Sequence, residues 1–301
     1  MTEFRNDIPL SSRTTFRIGG SARWYVEPSD AEETISAVRR AREEAWPLLV
    51  LGSGSNILVS DRGWPGLVIN CSGCTAVEWV GGSVTAQAGL PLDTVVHEAV
   101  RRGYAGMEEL SGIPGSVGGA VVMNAGAYSS CIADTLQQAT YLDMKDYRIV
   151  AAGKNELELG YRSSALQKKA SVVLSAQFML RPGKVPELEA ARREVLEKRR
   201  DKQPLDLPNC GSVFKRPEEP GTYAGALIEQ AGLKGLRHGN AEISSKHANF
   251  IVNLGGATAA EVRHLIVMAQ KSVYERSGVL LEPEVVFAGE FEEGLFRPSK
   301  R

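Results

Sequence analysis

The stretch from Ser111 to Tyr128, here called the glycine stretch, constrains the fold of this chain more than any other feature. Its eighteen residues include five glycines and no charged side chain, whereas a solvated linker would be polar. Backbone with so few side chains packs closely against something flat or extended. That partner is either another segment of the chain or a bound cofactor, and the physical chemistry of the stretch leaves both possibilities open.

A second, shorter loop, here called the glycine loop, follows the apolar run from Leu48 to Leu51. Because small residues leave no Cβ atom in the way, consecutive backbone N–H groups can converge on an anion such as a phosphate. The glycine spacing matches neither the dinucleotide-binding fingerprint nor a Walker loop, and a plain tight turn is the alternative. The loop consists of Gly52, Ser53, Gly54, Ser55 and Asn56.

Amphipathic helices and short apolar strands are mixed along the chain without a regular alternation, which predicts an α+β fold. The first helix is predicted to begin with a capping box formed by Ser29 and Glu32. At the end of the third predicted helix, which follows Pro186, the helix dipole is complemented by Lys198, Arg199 and Arg200. Further helices are predicted after Pro91, Pro186 and Thr258, and strands at Leu48–Leu51, Leu67–Ile69, Ser83–Ala88, Val172–Leu180, Phe250–Asn253 and Val285–Phe287.

The charge balance and hydropathy of the chain exclude two classes of partner. The 301 residues include 35 lysines and arginines and 36 aspartates and glutamates, so the net charge is −1. This balance lacks the basic footprint of a nucleic-acid-binding protein. No apolar run reaches the roughly 18 residues of a membrane span, and residues 1–10 do not resemble a signal peptide. We therefore expect a cytoplasmic protein.

Cys71 and Cys74 form a C-x-x-C motif, which is found in redox centres and in metal sites. No second close cysteine pair and no nearby histidine completes a set of four ligands. The apolar residues before Cys71 are typical of a strand that leads into a Ser72-Gly73 turn. The motif therefore predicts ordinary turn cysteines and no metal.

Eight short segments form an ordered series of motifs across almost the whole chain: Thr14–Gly20, Gly52–Asn56, Ser111–Tyr128, Tyr161–Ser164, Gly211–Lys215, Ala231–Gly235, Lys246–Asn253 and Leu281–Val285. Together they resemble the UDP-N-acetylenolpyruvoylglucosamine reductase family, flavoenzymes of bacterial peptidoglycan precursor synthesis. Eight collinear matches are far more specific than any one of them. The chain is similar to the shorter subtype of the family, because residues 171–208 leave no room for an additional substrate-capping loop.

The resemblance implies a two-lobed FAD-binding region of the vanillyl-alcohol-oxidase type, followed by a smaller α+β substrate domain. The FAD-binding region would span residues 1–185, with lobes at about 1–75 and 76–185, and the substrate domain residues 186–301. The glycine loop would hold the FAD pyrophosphate, and the glycine stretch would lie along the flavin and adenosine through Ser111, Pro114, Gly115, Ser116, Gly119, Asn124 and Gly126. None of the four histidines lies in either segment, so we expect FAD to be bound without a covalent link.

The chemistry implied by the resemblance is the NADPH-dependent reduction of an enolpyruvyl UDP-sugar through FAD. Hydride addition leaves charge on the carbon next to the carboxylate, so the reaction needs a cradle for an enolate and a proton donor. By their places in the motifs, Ser212 would donate the proton, and Arg162 and Glu284 would stabilise the enolate. Glu284 can help only as a protonated carboxyl, which needs a pKa raised by burial.

The resemblance also implies where the substrate binds. Lys234, and more weakly Lys215, would hold the substrate pyrophosphate. Cys210 and Arg216 stand where the family commonly has alanine and asparagine, which affects substrate contacts more than chemistry. We expect a monomer whose partners are the UDP-sugar and NADPH, with no nucleic acid and no membrane.

Two other functions stay open from the sequence. One is a different flavin oxidoreductase of the same fold, such as a sugar or alcohol oxidase, against which the retained Arg162, Ser212 and Glu284 argue. The other is a flavin- or nucleotide-binding module without catalysis, for which those three side chains would not converge.

Overall fold

A computed structural model describes residues 3–292 and 294–298 and divides the chain into two compact units. Unit 1 comprises the segment that ends at Asn6, Trp24–Ser53 and Gly66–Arg199, and unit 2 comprises Asp7–Arg23, Gly54–Pro65 and the segment from Arg200 onward. Both units are therefore assembled from pieces that are separated in sequence. Two boundaries stay predictions: the one near residue 75 between the two FAD-binding lobes, and the one at residue 185 before the substrate domain.

Helices and strands are interspersed along the chain, which confirms the α+β fold class. The helices are α1 (Ala31–Glu43), α2 (Leu92–Arg101), α3 (Val117–Val122), α4 (Val185–Lys202), α5 (Ala224–Gln230) and α6 (Ala259–Ser277). The strands are β1 (Arg5–Pro9), β2 (Ser21–Val26), β3 (Leu48–Leu51), β4 (Ile57–Val59), β5 (Trp64–Asn70), β6 (Val77–Val80), β7 (Ser83–Gln87), β8 (Tyr104–Ala105), β9 (Gly126–Ala127), β10 (Ser130–Cys131), β11 (Leu136–Asp143), β12 (Arg148–Gly153), β13 (Ser171–Met179), β14 (Arg181–Pro182), β15 (Arg237–His238), β16 (Ala241–Ile243), β17 (Ile251–Asn253) and β18 (Val286–Ala288).

Unit 1 is built around an antiparallel sheet in the order β12-β11-β13-β7-β6. Its apolar face packs with α2 and α3 into a core that includes Val96, Leu110, Val121 and Phe178, all buried. A smaller core forms where α1 packs on strands β3 and β5, which run parallel to each other. Strands β11 and β12, which the sequence patterns did not predict, complete the larger sheet.

Unit 2 has its own core around α6, whose Val262, Leu265 and Ile266 are fully buried. A three-stranded antiparallel sheet in the order β15-β16-β17 packs against this helix. Strand β4 pairs in parallel with β18, so that Ile57 lies opposite Val286. This last pairing joins the residues that follow the glycine loop to those that follow Glu284.

The helix ends agree with the sequence except at the starts of α1 and of α4, which begins at Val185, one residue before Pro186. Asp30, and not Ser29, is the N-cap of α1, and its carboxylate accepts a hydrogen bond from the Glu33 backbone N–H at 2.8 Å. The Ser29 hydroxyl donates to the Glu33 carboxylate instead, so the predicted capping box of Ser29 and Glu32 is wrong by one residue. The acceptor-only carboxylate of Asp30 is the better cap for the first exposed N–H groups.

Two other helix ends confirm their predictions. Thr258 caps α6 in a capping box with Glu261, because its hydroxyl accepts from the Glu261 N–H and the Glu261 carboxylate accepts from the Thr258 N–H. Helix α2 follows Pro91 and stops before Gly103, whose φ of +73° needs a residue without a Cβ atom. Among the described residues, no helix is both long and apolar enough to cross a membrane.

Candidate active site

The glycine stretch packs its backbone against the end of strand β7 in unit 1. The Gly118 N–H donates to the Ala88 carbonyl at 2.8 Å, and a Cβ atom on Gly118 would lie only 2.8 Å from the Ala88 Cβ. The middle of the stretch is not extended but forms the short helix α3, capped by Ser116, whose hydroxyl accepts from the Gly119 N–H. At least one glycine of the stretch, Gly118, is therefore required for packing against another segment of the chain.

The glycine loop and the glycine stretch meet at Ser116. A Cβ atom on Gly52 would collide with the Ser116 hydroxyl, so only glycine allows this approach within unit 1. On the other side of the same hydroxyl, Gly119 is exposed, and a Cβ atom there would meet only the Ser116 Oγ, at 3.5 Å. The two segments thus present an open backbone surface at Gly119 and the exposed Pro114.

The second half of the glycine loop belongs to unit 2. Gly54 has a φ of +61°, and a Cβ atom there would collide with the Arg13 carbonyl. Its own carbonyl accepts a hydrogen bond from the Thr15 N–H at 3.1 Å. Gly54 is therefore fixed by close packing against the Thr14–Gly20 motif, which explains why these two motifs occur together.

Asn124 and Arg162 tie the end of the glycine stretch to the segment that carries Tyr161. The Asn124 amide donates to the Gly160 carbonyl at 2.8 Å, and its oxygen accepts from the Ala133 N–H at 3.0 Å. The Arg162 guanidinium donates to the Gly126 carbonyl at 2.7 Å. Asn124 is buried and its amide is engaged within the fold, a structural role that the sequence did not reveal.

The backbone of Arg162 is held in an uncommon conformation. Its φ is +48°, in the left-handed region that non-glycine residues seldom adopt. The Gln167 amide donates to the Arg162 carbonyl at 3.0 Å and also to the Val122 carbonyl at 3.0 Å. Surrounding contacts thus hold the half-buried Arg162 against the glycine stretch, which is typical of residues with a functional task.

In unit 2, two extended segments bring Ser212 and Glu284 together. They form an antiparallel bridge between Phe214 and Pro283, flanked by a hydrogen bond from the Glu284 N–H to the Val213 carbonyl at 2.8 Å. The next bond in the ladder runs from the Lys215 N–H to the Glu282 carbonyl at 2.9 Å. We call these two segments, residues 212–215 and 282–285, the extended pair.

Asn249 locks the first segment of the extended pair. Its side-chain oxygen accepts from the Phe214 N–H at 3.0 Å, and its amide donates to the Phe214 carbonyl at 2.9 Å. Its backbone carbonyl accepts from the Val213 N–H at 2.8 Å. Asn249 lies within the matched motif Lys246–Asn253, but nothing in the sequence indicated that it supports Ser212.

Asn56, the last residue of the glycine loop, contacts the second segment of the extended pair. Its amide donates to the Glu284 carbonyl at 3.1 Å, and its backbone carbonyl accepts from the Val286 N–H at 3.0 Å. Within unit 2, the predicted phosphate-binding loop and the predicted catalytic glutamate are therefore directly connected. Two motifs that lie more than 200 residues apart in sequence share one hydrogen-bonded segment.

The apolar residues near Glu284 in sequence differ in their exposure to solvent. Leu281 and Val285 are buried, but Leu280 and Val286 are exposed, so only two of the four apolar residues near it in sequence are buried. Burial raises the pKa of the Cys210 thiol to about 12. Cys210, at a position where the family commonly has alanine, therefore remains a neutral thiol close to the carboxyl.

The two predicted substrate lysines both form ion pairs. Lys234 contacts Glu229 at 2.9 Å and Lys215 contacts Glu282. Lys234 also lies close to His247, whose pKa is lowered by burial and then by the charge of this lysine. Because the His247 Nδ1 accepts from the Asn249 N–H at 3.2 Å, the neutral ring carries its proton on Nε2.

The C-x-x-C motif lies where the sequence predicted a turn. Strand β5 ends at Asn70, and Cys71–Gly73 form a single helical turn. Burial raises the pKa of Cys71 to about 12, so its thiol is protonated at neutral pH and inert as a nucleophile. Within residues 3–292 and 294–298, no group of three or more histidine, cysteine, aspartate or glutamate side chains is arranged to hold a metal ion.

Comparison with known proteins gives two consecutive matches to family models. Residues 22–153 match the FAD binding domain, and residues 203–288 match the C-terminal domain of UDP-N-acetylenolpyruvoylglucosamine reductase. The matched regions include both glycine segments, the extended pair and Lys234.

Individual relatives match over nearly the whole chain. The UDP-N-acetylenolpyruvoylglucosamine reductase of Caldicellulosiruptor saccharolyticus is 47% identical and covers 99% of this chain and 96% of its own length. The Synechococcus enzyme of the same name is 44% identical over 96% of this chain and 92% of its own. The crystal structure of the reductase from Thermus caldophilus superposes with a TM-score of 0.81 at 35% identity and covers 96% and 99% of the two chains.

Proposed function

The chain belongs to the UDP-N-acetylenolpyruvoylglucosamine reductase family, and from this premise we propose that Arg162, Ser212 and Glu284 carry the chemistry of its reaction. The enzyme is an FAD-dependent oxidoreductase of peptidoglycan precursor synthesis. It reduces UDP-N-acetylglucosamine enolpyruvate to UDP-N-acetylmuramate with NADPH as the source of reducing equivalents. The observation that carries the assignment of residues is the extended pair, which aligns Ser212 and Glu284 within unit 2.

The two glycine segments fit FAD. A cofactor with a pyrophosphate needs close backbone approach without negative side chains, and neither segment contains an acidic residue. The collision that a Cβ atom on Gly52 would make supports a role for the glycine loop on the pyrophosphate, with the glycine stretch along the flavin and adenosine. When bound, FAD accepts hydride from NADPH and delivers it to the double bond of the substrate.

Ser212 donates the proton that completes the reduction. Its hydroxyl is the neutral donor on the extended pair, and the backbone that follows it is fixed by Asn249 and Glu284. A serine hydroxyl is a weak acid, so it needs a neighbour that shares its proton in the transition state. Glu284 is the carboxyl that the extended pair aligns with it.

Arg162 and Glu284 stabilise the enolate that forms next to the substrate carboxylate. Arg162 supplies a planar guanidinium cation, and its bond to the Gly126 carbonyl fixes the direction of this group. Glu284 can stabilise an anion only while it holds a proton. Glu284 is half-buried and directly precedes the buried Val285.

Lys234 and Lys215 bind the substrate diphosphate. Each is held by a glutamate, Glu229 or Glu282, which orients the lysine before the substrate arrives. A phosphate that replaces the glutamate keeps the charge of the lysine neutralised throughout binding.

The remaining parts of the proposal concern the state of the enzyme. We assign residues 1–185 to FAD and 186–301 to the substrate, and we expect a cytoplasmic monomer that binds neither nucleic acid nor membrane. FAD is bound without a covalent link, since no histidine lies in either glycine segment. Acid or heat should then release all of the flavin, and flavin retained on the denatured chain would contradict this.

The test of the function is NADPH oxidation with and without the enolpyruvyl sugar nucleotide. The reductase requires that the sugar nucleotide accelerates NADPH oxidation without oxygen and that one product forms per NADPH consumed. An oxidase of the same fold would instead consume oxygen, and a binding module would show neither reaction. Arg162→Ala should abolish the substrate-dependent rate, with Arg193→Ala, an exposed arginine on α4, as the matched control.

A further inference from the structure

Arg162, which we assign to the enolate, lies in a tight turn with an unfavourable backbone conformation. Residues 160–163 form the turn, in which the Gly160 N–H donates to the Ser163 carbonyl at 3.0 Å and the Ser163 N–H donates to the Gly160 carbonyl at 3.3 Å. Arg162 is the third residue of this turn and has a φ of +48°. Glycine or asparagine is usual at a third turn position with positive φ, because the Cβ atom of other residues crowds the following carbonyl oxygen. The turn therefore needs support from outside to keep an arginine at this position.

The side-chain amide of Gln167 provides this support. Gln167 ends a single helical turn, Ala165–Gln167, which closely follows residues 160–163. Its Nε2 donates to the Arg162 carbonyl and to the Val122 carbonyl, both at 3.0 Å, and lies 3.4 Å from the Met123 Sδ. Because an amide nitrogen carries two N–H groups, one side chain can bridge both carbonyls. Gln167 therefore connects the strained residue to the end of α3.

The end of α3 is a fixed point for this bridge. Val122 is the last residue of the helix, where backbone carbonyls have no partner within the helix itself. The Val122 carbonyl accepts from the Ser164 hydroxyl at 2.6 Å as well as from Gln167. The preceding residue, Val121, is fully buried in the larger core of unit 1. The segment that carries Arg162 is thus anchored twice to a helix that the core holds in place.

The bridge controls the peptide group between Arg162 and Ser163. The N–H of this group makes the long bond at 3.3 Å to Gly160, whereas its carbonyl makes the shorter bond at 3.0 Å to Gln167. Once the carbonyl is released, the backbone of Arg162 can rotate to a common conformation with negative φ. The guanidinium then loses its place on the Gly126 carbonyl, which it contacts at 2.7 Å. Gln167 therefore acts on the side chain of Arg162 through its backbone.

We propose that Gln167 is a positioning residue, which holds the Arg162 guanidinium in place for the enolate by fixing the Arg162 carbonyl. This inference rests on the proposed role of Arg162. The Gln167 side chain is exposed, so its task is not to fill the core. A cation that is fixed before the reaction stabilises developing charge without reorganisation, and small displacements of such groups slow a reaction strongly.

The experiment compares Gln167→Met, which is similar in size but has no N–H donor, with Gln138→Met at an exposed glutamine of β11. Stopped-flow absorbance of the holoenzyme follows flavin reduction by NADPH and reoxidation by the enolpyruvyl sugar nucleotide. In Gln167→Met, reoxidation at saturating substrate should be about tenfold to hundredfold slower. Flavin reduction and FAD affinity should stay close to those of the wild type, because the enolate forms only in the second half-reaction. Gln138→Met should match the wild type in every measurement.

Gln167→Lys is the rescue variant, because its ammonium group can still donate to both carbonyls. It should restore most of the reoxidation rate that Gln167→Met loses. A side chain that only fills space would instead be replaced better by methionine than by lysine. Should Gln167→Met not fold, Gln167→Glu takes its place, since an ionised carboxylate is also without a donor.

Reoxidation of Gln167→Met at the wild-type rate would overturn the proposal. Equal slowing of both half-reactions, or a rate for Gln167→Lys no higher than for Gln167→Met, would overturn it as well. Arg162→Ala separates this inference from the function on which it rests. If Arg162→Ala reoxidises slowly and Gln167→Met at the wild-type rate, only the role of Gln167 is wrong. If Arg162→Ala itself reoxidises at the wild-type rate, the proposed role of Arg162 is wrong.

Discussion

The two units differ in the kind of group that each offers to a ligand. In unit 1 the glycine stretch and Gly52 offer backbone, and their side chains are absent or, like Ser116, already used within the fold. In unit 2 the backbone of the extended pair forms hydrogen bonds between Val213 and Glu284 and with Asn249. Its side chains are therefore the groups that remain to contact a ligand. The part in unit 1 therefore depends on missing Cβ atoms, and the part in unit 2 depends on the functional groups of its side chains.

This difference predicts opposite sensitivities. In unit 1, an added methyl group should weaken ligand binding. In unit 2, removal of a functional group should slow the reaction or weaken substrate binding. Substitutions of each kind in each unit therefore test the comparison.

The largest effect is expected from Ser212→Ala, which removes one hydroxyl from unit 2. Flavin reduction by NADPH should stay nearly normal because that half-reaction does not use the serine. Reoxidation by the enolpyruvyl substrate should slow about 10² to 10⁴-fold, the usual contribution of general acid catalysis. Stopped-flow absorbance of the flavin separates the two half-reactions.

Ser212→Cys is the companion variant, because a thiol can still give a proton and should retain part of the rate. If Ser212→Ala reoxidises at the wild-type rate, or if both halves slow equally, the serine is structural and the donor lies elsewhere.

The next effect is expected from Gly52→Ala, which adds one methyl group to unit 1. The new Cβ atom collides with the Ser116 hydroxyl, which must leave its position as the cap of α3. Overpacking of this kind costs about 1–3 kcal/mol of folding free energy. When the apoprotein relieves the collision by a shift that FAD binding must reverse, this cost falls on binding, and FAD should bind about tenfold to hundredfold more weakly. Fluorescence of released flavin measures the change.

Gly153→Ala, at the end of β12 in unit 1, is the matched control, because its added Cβ atom would have no neighbour closer than 3.7 Å. Its FAD affinity should stay close to that of the wild type. Equal losses for the two variants would mean that the collision with Ser116 is not the cause.

A smaller effect is expected from Lys234→Ala in unit 2. Removing a contact to a remote phosphate, present equally in the ground and transition states, should raise KM about tenfold and leave kcat nearly unchanged. The pKa of His247 should rise in the same variant, because the charge of Lys234 helps to lower it. Steady-state kinetics and NMR titration of the imidazole measure the two effects.

Lys271→Ala, at an exposed lysine of α6, is the control for Lys234→Ala. A fall in kcat for Lys234→Ala without a change in KM would place this lysine among the groups that act on the transition state.

The smallest effects concern helix caps, where the two units should behave alike. Asp30→Ala in unit 1 and Thr258→Ala in unit 2 each remove an N-cap and should lower the free energy of unfolding by about 1 kcal/mol. Ser29→Ala should cost only a few tenths, since Ser29 is not the cap. Urea denaturation measures all three, and a larger loss for Ser29→Ala would restore the capping box that the sequence suggested.

The parts of the fold that the sequence predicted are those with local causes. The capping box of Thr258 and Glu261 depends on residues three apart, and Gly103 ends α2 because its positive φ needs glycine. Helix α3 was missed because its glycines resemble a loop, and Ser116 caps it all the same.

The parts of the site that could not be predicted depend on long-range contacts. The bonds of Asn249 to Phe214 and of Asn56 to Glu284 join residues 35 and 228 positions apart, and neither asparagine differs locally from an ordinary turn residue. The burial of Arg199 is a further long-range effect. The sequence predicted only that this arginine complements the helix dipole, and its packing against Gly112 has no local signal.

The pairing of β4 with β18 has a consequence for biosynthesis. The residues of β4, Ile57–Val59, are all buried, and among the described residues their only strand partner is Val286–Ala288. Ribosomes add about 5–20 residues each second, so this apolar segment waits roughly 10 to 45 s for its partner to be translated. During that time it is a natural target for chaperones. A truncated transcript that ends before residue 286 should yield a nascent chain that stays associated with them.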